Sequence, residues 1–113
     1  RDITSEGHFK SKLKDRINTY SIKNSAEEDA VKEHAVQTMH TNGRMTACYY
    51  FYEGSQIPRS GLSLANGIVE ANRIIDEFSS GIKYAYIKNH KGEMKFVDCE
   101  ENPNDDLCNN LSQ

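Results

Sequence analysis

The stretch from Ser60 to Ser80, SGLSLANGIVEANRIIDEFSS, constrains the fold of this chain more than any other. Leu64, Ile68, Ala71, Ile75 and Phe78 recur at spacings of four, three, four and three, so they share one face of a helix, and Ala65 and Val69 widen that stripe. Glu70, Asn72, Arg73, Asp76 and Glu77 take the opposite face. The spacing predicts an amphipathic helix over about 62–79. Such a helix must bury its stripe against something, and the tyrosine-rich segments MTACYYFY before it and IKYAYI and MKFVDC after it are the natural partners. Gly67 lies inside the predicted helix at a cost of about 1 kcal/mol relative to Ala, and close packing against a neighbouring backbone or tyrosine is the expected reason.

The remaining elements follow in order. Residues 1–7 read as a flexible lead. Phe9, Leu13, Ile17 and Tyr20 recur at four, four and three and predict a short helix, although INTYSIK also alternates like a strand. Ser25 and Glu28 form a capping box for a helix running to about His40, where Thr41-Asn42-Gly43 suits a left-handed stop. Its apolar content is weak, which places it at the periphery. Arg44–Tyr52 is expected as a central strand, since both of its faces are apolar. Ile82–Ile87 and Met94–Cys99 predict a hairpin closed by KNHKGE, with Gly92 at the positive φ and Tyr84, Tyr86 and Phe96 as neighbours. Residues 100–113 read as an irregular acidic tail. The expected fold is a single α+β domain over 1–113. It is a two-layer sandwich, with a three-stranded, mostly antiparallel sheet packed by the helix at about 62–79 and one or two N-terminal helices.

Charge is unevenly placed along a chain of net charge −3. From His8 to Lys23 the bases Lys10, Lys12, Lys14, Arg16 and Lys23 face only Asp15, whereas Asp98, Glu100, Glu101, Asp105 and Asp106 form a base-free run near the other end. A bipolar surface of this kind can orient a protein on a partner. No apolar run approaches the length of about 20 residues that spans a bilayer, so no membrane span is expected. The chain opens on the polar sequence RDITSEGHFK, which is not leader-like and is compatible with a mature secreted product. None of its fourteen basic residues adjoins another, as expected of a product that survives dibasic cleavage.

Three cysteines, Cys48, Cys99 and Cys108, show neither a CxxC pair nor a zinc-like spacing. Cys99 and Cys108 bracket the polar loop EENPNDDL, which a disulfide would hold closed, and this pairing is favoured over Cys48 with Cys99. Either pairing leaves one cysteine over, as a bond to a second chain or homodimer partner, or as a buried thiol.

Reactive constellations are sparse. His8, His34, His40 and His90 form no HxH, HxxxH or HExxH motif, so no metal site is expected, and no cofactor motif is present. The oxygen-rich DCEENPNDD lacks the spacing and central glycine of an EF-hand loop. Gly61-Leu62-Ser63 lacks the second glycine and preceding strand of a nucleophile elbow. Arg59, Ser60 and Gly61 at the start of the predicted helix form the best small-anion candidate, where a guanidinium and free backbone N–H groups converge. The tyrosines are not interleaved with bases, which argues against nucleic acid.

The expected function is therefore a small secreted, non-enzymatic binding protein acting on a protein or cell-surface partner, with Tyr50, Tyr52, Tyr84 and Tyr86 as contact anchors. The inferred order of elements is similar to that of the small α/β-sandwich toxins and effectors secreted by fungi, a resemblance of architecture that implies a toxin- or effector-like role. Two alternatives remain. One is an immunity or inhibitor protein, cytoplasmic in location, whose acidic tail blocks a basic active site. The other is a small enzyme with a pocket near Arg59, His34 or His40.

Overall fold

A computed structural model describes residues 2–38 and 45–109. Its centre is strand β3 (Met45–Tyr52), six of whose eight residues are buried because both faces are covered. Strands β1 (Ile3–Lys10), β2 (Arg16–Ile22), β4 (Ile82–Asn89) and β5 (Met94–Asp98) complete a five-stranded sheet in the order β1-β2-β3-β4-β5. All neighbours are antiparallel except β2 and β3, which run parallel. A parallel neighbour cannot be reached by a tight turn, and helix α1 (Glu28–Thr38) lies in the crossover between them.

The pleat sorts the sheet into two faces. Tyr20, Ile22, Cys48, Tyr50, Tyr84 and Tyr86 form one layer with Val31 and Ala35 of α1. Phe9, Ile17, Ala47, Tyr49, Phe51, Ala85 and Val97 form the other, with Leu62 of α2 (Ser60–Ser63) and Ala71 and Ile75 of α3 (Ile68–Glu77). Helices thus cover both faces. The expected three-stranded, mostly antiparallel sheet under one long helix is corrected to a five-stranded mixed sheet with three short helices.

Two local misreadings account for that correction. The predicted helix over 9–20 is instead the β1–β2 hairpin, and the 1–7 lead supplies most of β1. Phe9, Ile17 and Tyr20 are buried as expected, but Leu13 sits in the turn, 60% exposed. The helical spacing was a coincidence of two strands whose inward residues straddle a turn. The decisive signal was the alternation of Ile17 and Thr19 against Asn18, Tyr20 and Ile22, a period of two in β-branched and aromatic residues.

The predicted helix over 62–79 breaks into α2 and α3 at Gly67, which has φ 93° and ψ 170°, a conformation costly for any residue with a Cβ. No atom lies within 4 Å of where its Cβ would be, so conformation rather than close packing explains the glycine. The break divides the stripe. Ala71 and Ile75 are buried and Ile68 and Phe78 partly so, whereas Leu64 and Val69 are 82% and 80% exposed.

Several expectations hold. The β4–β5 hairpin forms with Gly92 at φ 84°, and Phe96 stacks on Tyr84 at 5.4 Å between ring centroids and tilts against Tyr86 at 6.3 Å. Residues 100–109 form turns closed by a disulfide between Cys99 and Cys108. The expected helix stop at 41–43, the strand start at Arg44, His40 and the last four tail residues lie outside the described residues.

Candidate functional site

The strand register sets the geometry of the surface. Lys10 pairs with Arg16, Arg16 with Thr46, Thr46 with Lys88 and Lys88 with Met94, so these residues form one row across an end of the sheet. Four inter-strand spacings make that row about 19 Å wide. The turns that close β1–β2 and β4–β5 extend it with Lys12, Lys14, His90 and Lys91. The acids at this end are Asp15, Glu93, which accepts a hydrogen bond from Asn89 Nδ2 at 2.7 Å, and Glu70, which accepts from Asn66 N–H at 3.2 Å. The opposite row, where Ile3 pairs with Ile22 and Ile22 with Tyr52, adjoins Asp2, Glu53, Glu100 and Glu101, with Lys23 and Lys83 among them. Charge clusters that are far apart in sequence are therefore segregated along the strand direction.

The β1–β2 turn presents its side chains outward because its backbone is closed on itself. Ser11 N–H donates to Asp15 O at 2.8 Å, Lys14 N–H donates to Ser11 O at 3.0 Å, and Lys14 holds φ 68°. The Ser11 hydroxyl accepts from Asp15 N–H at 2.9 Å. Beside it lies the α2–α3 link, fastened to β1 by the Ser63 hydroxyl donating to His8 O at 2.6 Å. Between turn and link is a cleft of about 620 Å³, with Phe9, Leu13, Ala65 and Ile68 as its apolar lining and Lys10 and Lys12 on it. Leu64 and Val69 flank the link. Among the described residues four of the five exposed large hydrophobics lie at this basic end, Leu13, Leu64 and Val69 near the cleft and Met94 at the far edge of the sheet. Arg16 Nε is also here, buried and without an acceptor among the described residues.

The sequence-derived candidates fall elsewhere. Arg59 donates through Nε to Glu6 Oε1 at 2.7 Å and through Nη1 to Ile57 O at 3.3 Å. Partial burial works against ionisation of Glu6, but the Ser21 hydroxyl and Arg59 together hold its carboxyl below the ordinary range. Ser60 and Gly61 open a helix of only four residues. Thus Arg59 bridges the loop after β3 to strand β1. Thr19 reinforces that bridge by donating its hydroxyl to Pro58 O at 2.8 Å.

Tyr50, Tyr84 and Tyr86 are buried and Tyr52 is half-buried. Tyr50 stacks on Tyr20 at 5.0 Å, and His34 of α1 meets Tyr20 edge-on at 4.7 Å and Tyr50 by a 2.8 Å hydrogen bond at Nδ1. Burial raises the Tyr50 phenol and lowers His34, so both groups are held in their neutral forms. Burial, and then the neighbouring Cys48, push Tyr20 up to about 12. These groups interlock α1 with the sheet.

Cys48 lies in this layer, fully buried, with its Sγ 3.5 Å from Thr38 Oγ1 and its thiol raised by burial. Cys99 packs in the layer on the other face, which is why it pairs with Cys108 and not with Cys48. At the acidic end Lys83 contacts both Asp98 and Glu100, while Lys95, next to Met94 on β5, reaches Asp105 Oδ2 at 2.9 Å. Among the described residues no group of three or more His, Cys, Asp or Glu is placed to hold a metal ion. No helix among them is long and apolar enough to cross a membrane.

Sequence reasoning noted the lysines but missed the site. The available signal was the period of two in Lys10, Lys12 and Lys14, which belongs to a strand and its turn rather than to a helix face. Comparison with known proteins finds no matching family model, curated protein or solved structure. A mixed α/β sheet with a polarised end is the class that fold and site define.

Proposed function

We propose that this chain is a small secreted binding domain, toxin- or effector-like, that acts by contact rather than by catalysis. The observation that carries the proposal is the coincidence, at one end of the sheet, of the lysine-rich row with exposed Leu13, Leu64, Val69 and Met94. Isolated exposed aliphatics are ordinary, but a group of them among like charges favours a partner that is both apolar and anionic. The Cys99–Cys108 disulfide supports an oxidising, extracellular setting. The reading as an inhibitor with a plugging acidic tail has less support, because Asp98, Glu100 and Asp105 already engage Lys83 and Lys95.

Intact mass of the natively isolated protein, with and without reductant and with thiol alkylation, tests the setting. The expected result is a gain of two hydrogens on reduction and one alkylated thiol, Cys48, that reacts only after unfolding. Three free thiols in the native protein would overturn the extracellular reading.

A further inference from the structure

Resting on the reading of a contact-acting extracellular domain, we infer that the partner of the basic end is the surface of a bilayer bearing anionic lipids. The apolar side chains lie in or beside the turns of this end, and Met94 Sδ also accepts the Tyr86 hydroxyl at 2.8 Å. Leu13 stands at the tip of β1–β2, Leu64 and Val69 flank the α2–α3 link, and Met94 borders the β4–β5 turn, at exposures of 60%, 82%, 80% and 59%. They are spread over an end about 19 Å wide, the geometry of contacts to an extended surface rather than to one buried anchor. Exposed aliphatics inserted at the headgroup boundary and lysines just outside it are the two components of interfacial attachment.

Charge selects the kind of surface. Lys10, Lys12, Lys14, Arg16, Lys88 and Lys91 lie at this end against Asp15, Glu70 and Glu93, and the buried Arg16 Nε has no acceptor among the described residues. Each lysine near an anionic leaflet adds attraction that falls off within a Debye length, so several are needed and salt removes their effect. At the opposite end Asp2, Glu53, Glu100 and Glu101 outnumber Lys23 and Lys83, which gives the molecule a dipole that turns the basic end toward such a surface.

The test is co-sedimentation of the oxidised protein with vesicles of phosphatidylcholine alone and with about 30% phosphatidylserine. Binding is expected to the anionic vesicles only, and to be lost when salt is raised to about 1 M, where the Debye length is about 3 Å. Lys12→Glu with Lys14→Glu, and separately Leu13→Ser with Val69→Ser, should each weaken it roughly tenfold or more. Glu101→Gln at the far end should leave it unchanged. All four side chains changed in the two double variants are exposed, and thermal melts check that each variant folds.

Equal binding to neutral and anionic vesicles, no effect of the double variants, or no vesicle binding overturns the lipid partner. A dimer in light scattering that either double variant dissolves also overturns it, by assigning this end to a second copy. If vesicle binding fails while the protein shows the disulfide and one thiol, the extracellular binding reading stands with a protein partner. Three native thiols remove that reading independently of the vesicle result.

Discussion

Tyr20, Tyr49, Tyr50, Tyr52, Tyr84 and Tyr86 all hold their phenolic protons more tightly than a free tyrosine, in each case chiefly through burial. A pKa raised on folding contributes stability below the unfolded value of 10.0, and that contribution is lost as pH rises, for Tyr20 toward about 12. Ultraviolet titration is therefore expected to show no phenol ionising at its free value, with tyrosinate appearing together with loss of the fold. His34 has the opposite sign. Its lowered pKa contributes stability above 6.5 that is lost as pH falls, because burial disfavours the imidazolium. Acid denaturation of His34→Gln should be less steep in the range just below pH 6.5 than that of the parent. Alternation along β3 showed that Tyr50 and Tyr52 share a face. It could not show that α1 covers Tyr50 and leaves Tyr52 half-buried, because coverage depends on where a distant helix docks.

Helix α3 and the strands show how local pattern and tertiary context divide the work. The stripe formed by Ile68, Ala71, Ile75 and Phe78 was legible because its period matches the helix that forms. Its extension to Leu64 was misleading, since Gly67 ends the helical path regardless of the apolar pattern. Gly67→Ala is expected to destabilise the protein by about 1–3 kcal/mol in urea unfolding, from backbone strain alone. Gly61→Ala, at a position with open space and no positive φ, is the control and should be neutral or mildly stabilising. Gly7→Ala should be more severe than either. Its Cβ would lie 2.7 Å from Pro58 O and 2.9 Å from Arg59 Cα, forcing apart β1 and the loop that carries the Arg59–Glu6 pair.

For the whole molecule, the Cys99–Cys108 link closes a loop of sequence separation 9 beside the layer that contains Ala71 and Ile75. Replacing both cysteines with alanine is expected to cost about 2–3 kcal/mol, measured by urea denaturation at fixed pH. The fold should otherwise survive, because both faces of the sheet keep their helices. By itself the sequence determined the central strand β3, the β4–β5 hairpin, the amphipathic part of α3 and the favoured cysteine pair. These rest on contacts between near neighbours, where side-chain period and turn chemistry act directly. Only the tertiary structure decided that β2 lies parallel to β3, that helices cover both faces, and that Lys10–Lys14, Lys88 and Lys91 share one end with Leu13, Leu64, Val69 and Met94. Those features join segments tens of residues apart, and their geometry is set by strand register, which no local pattern encodes.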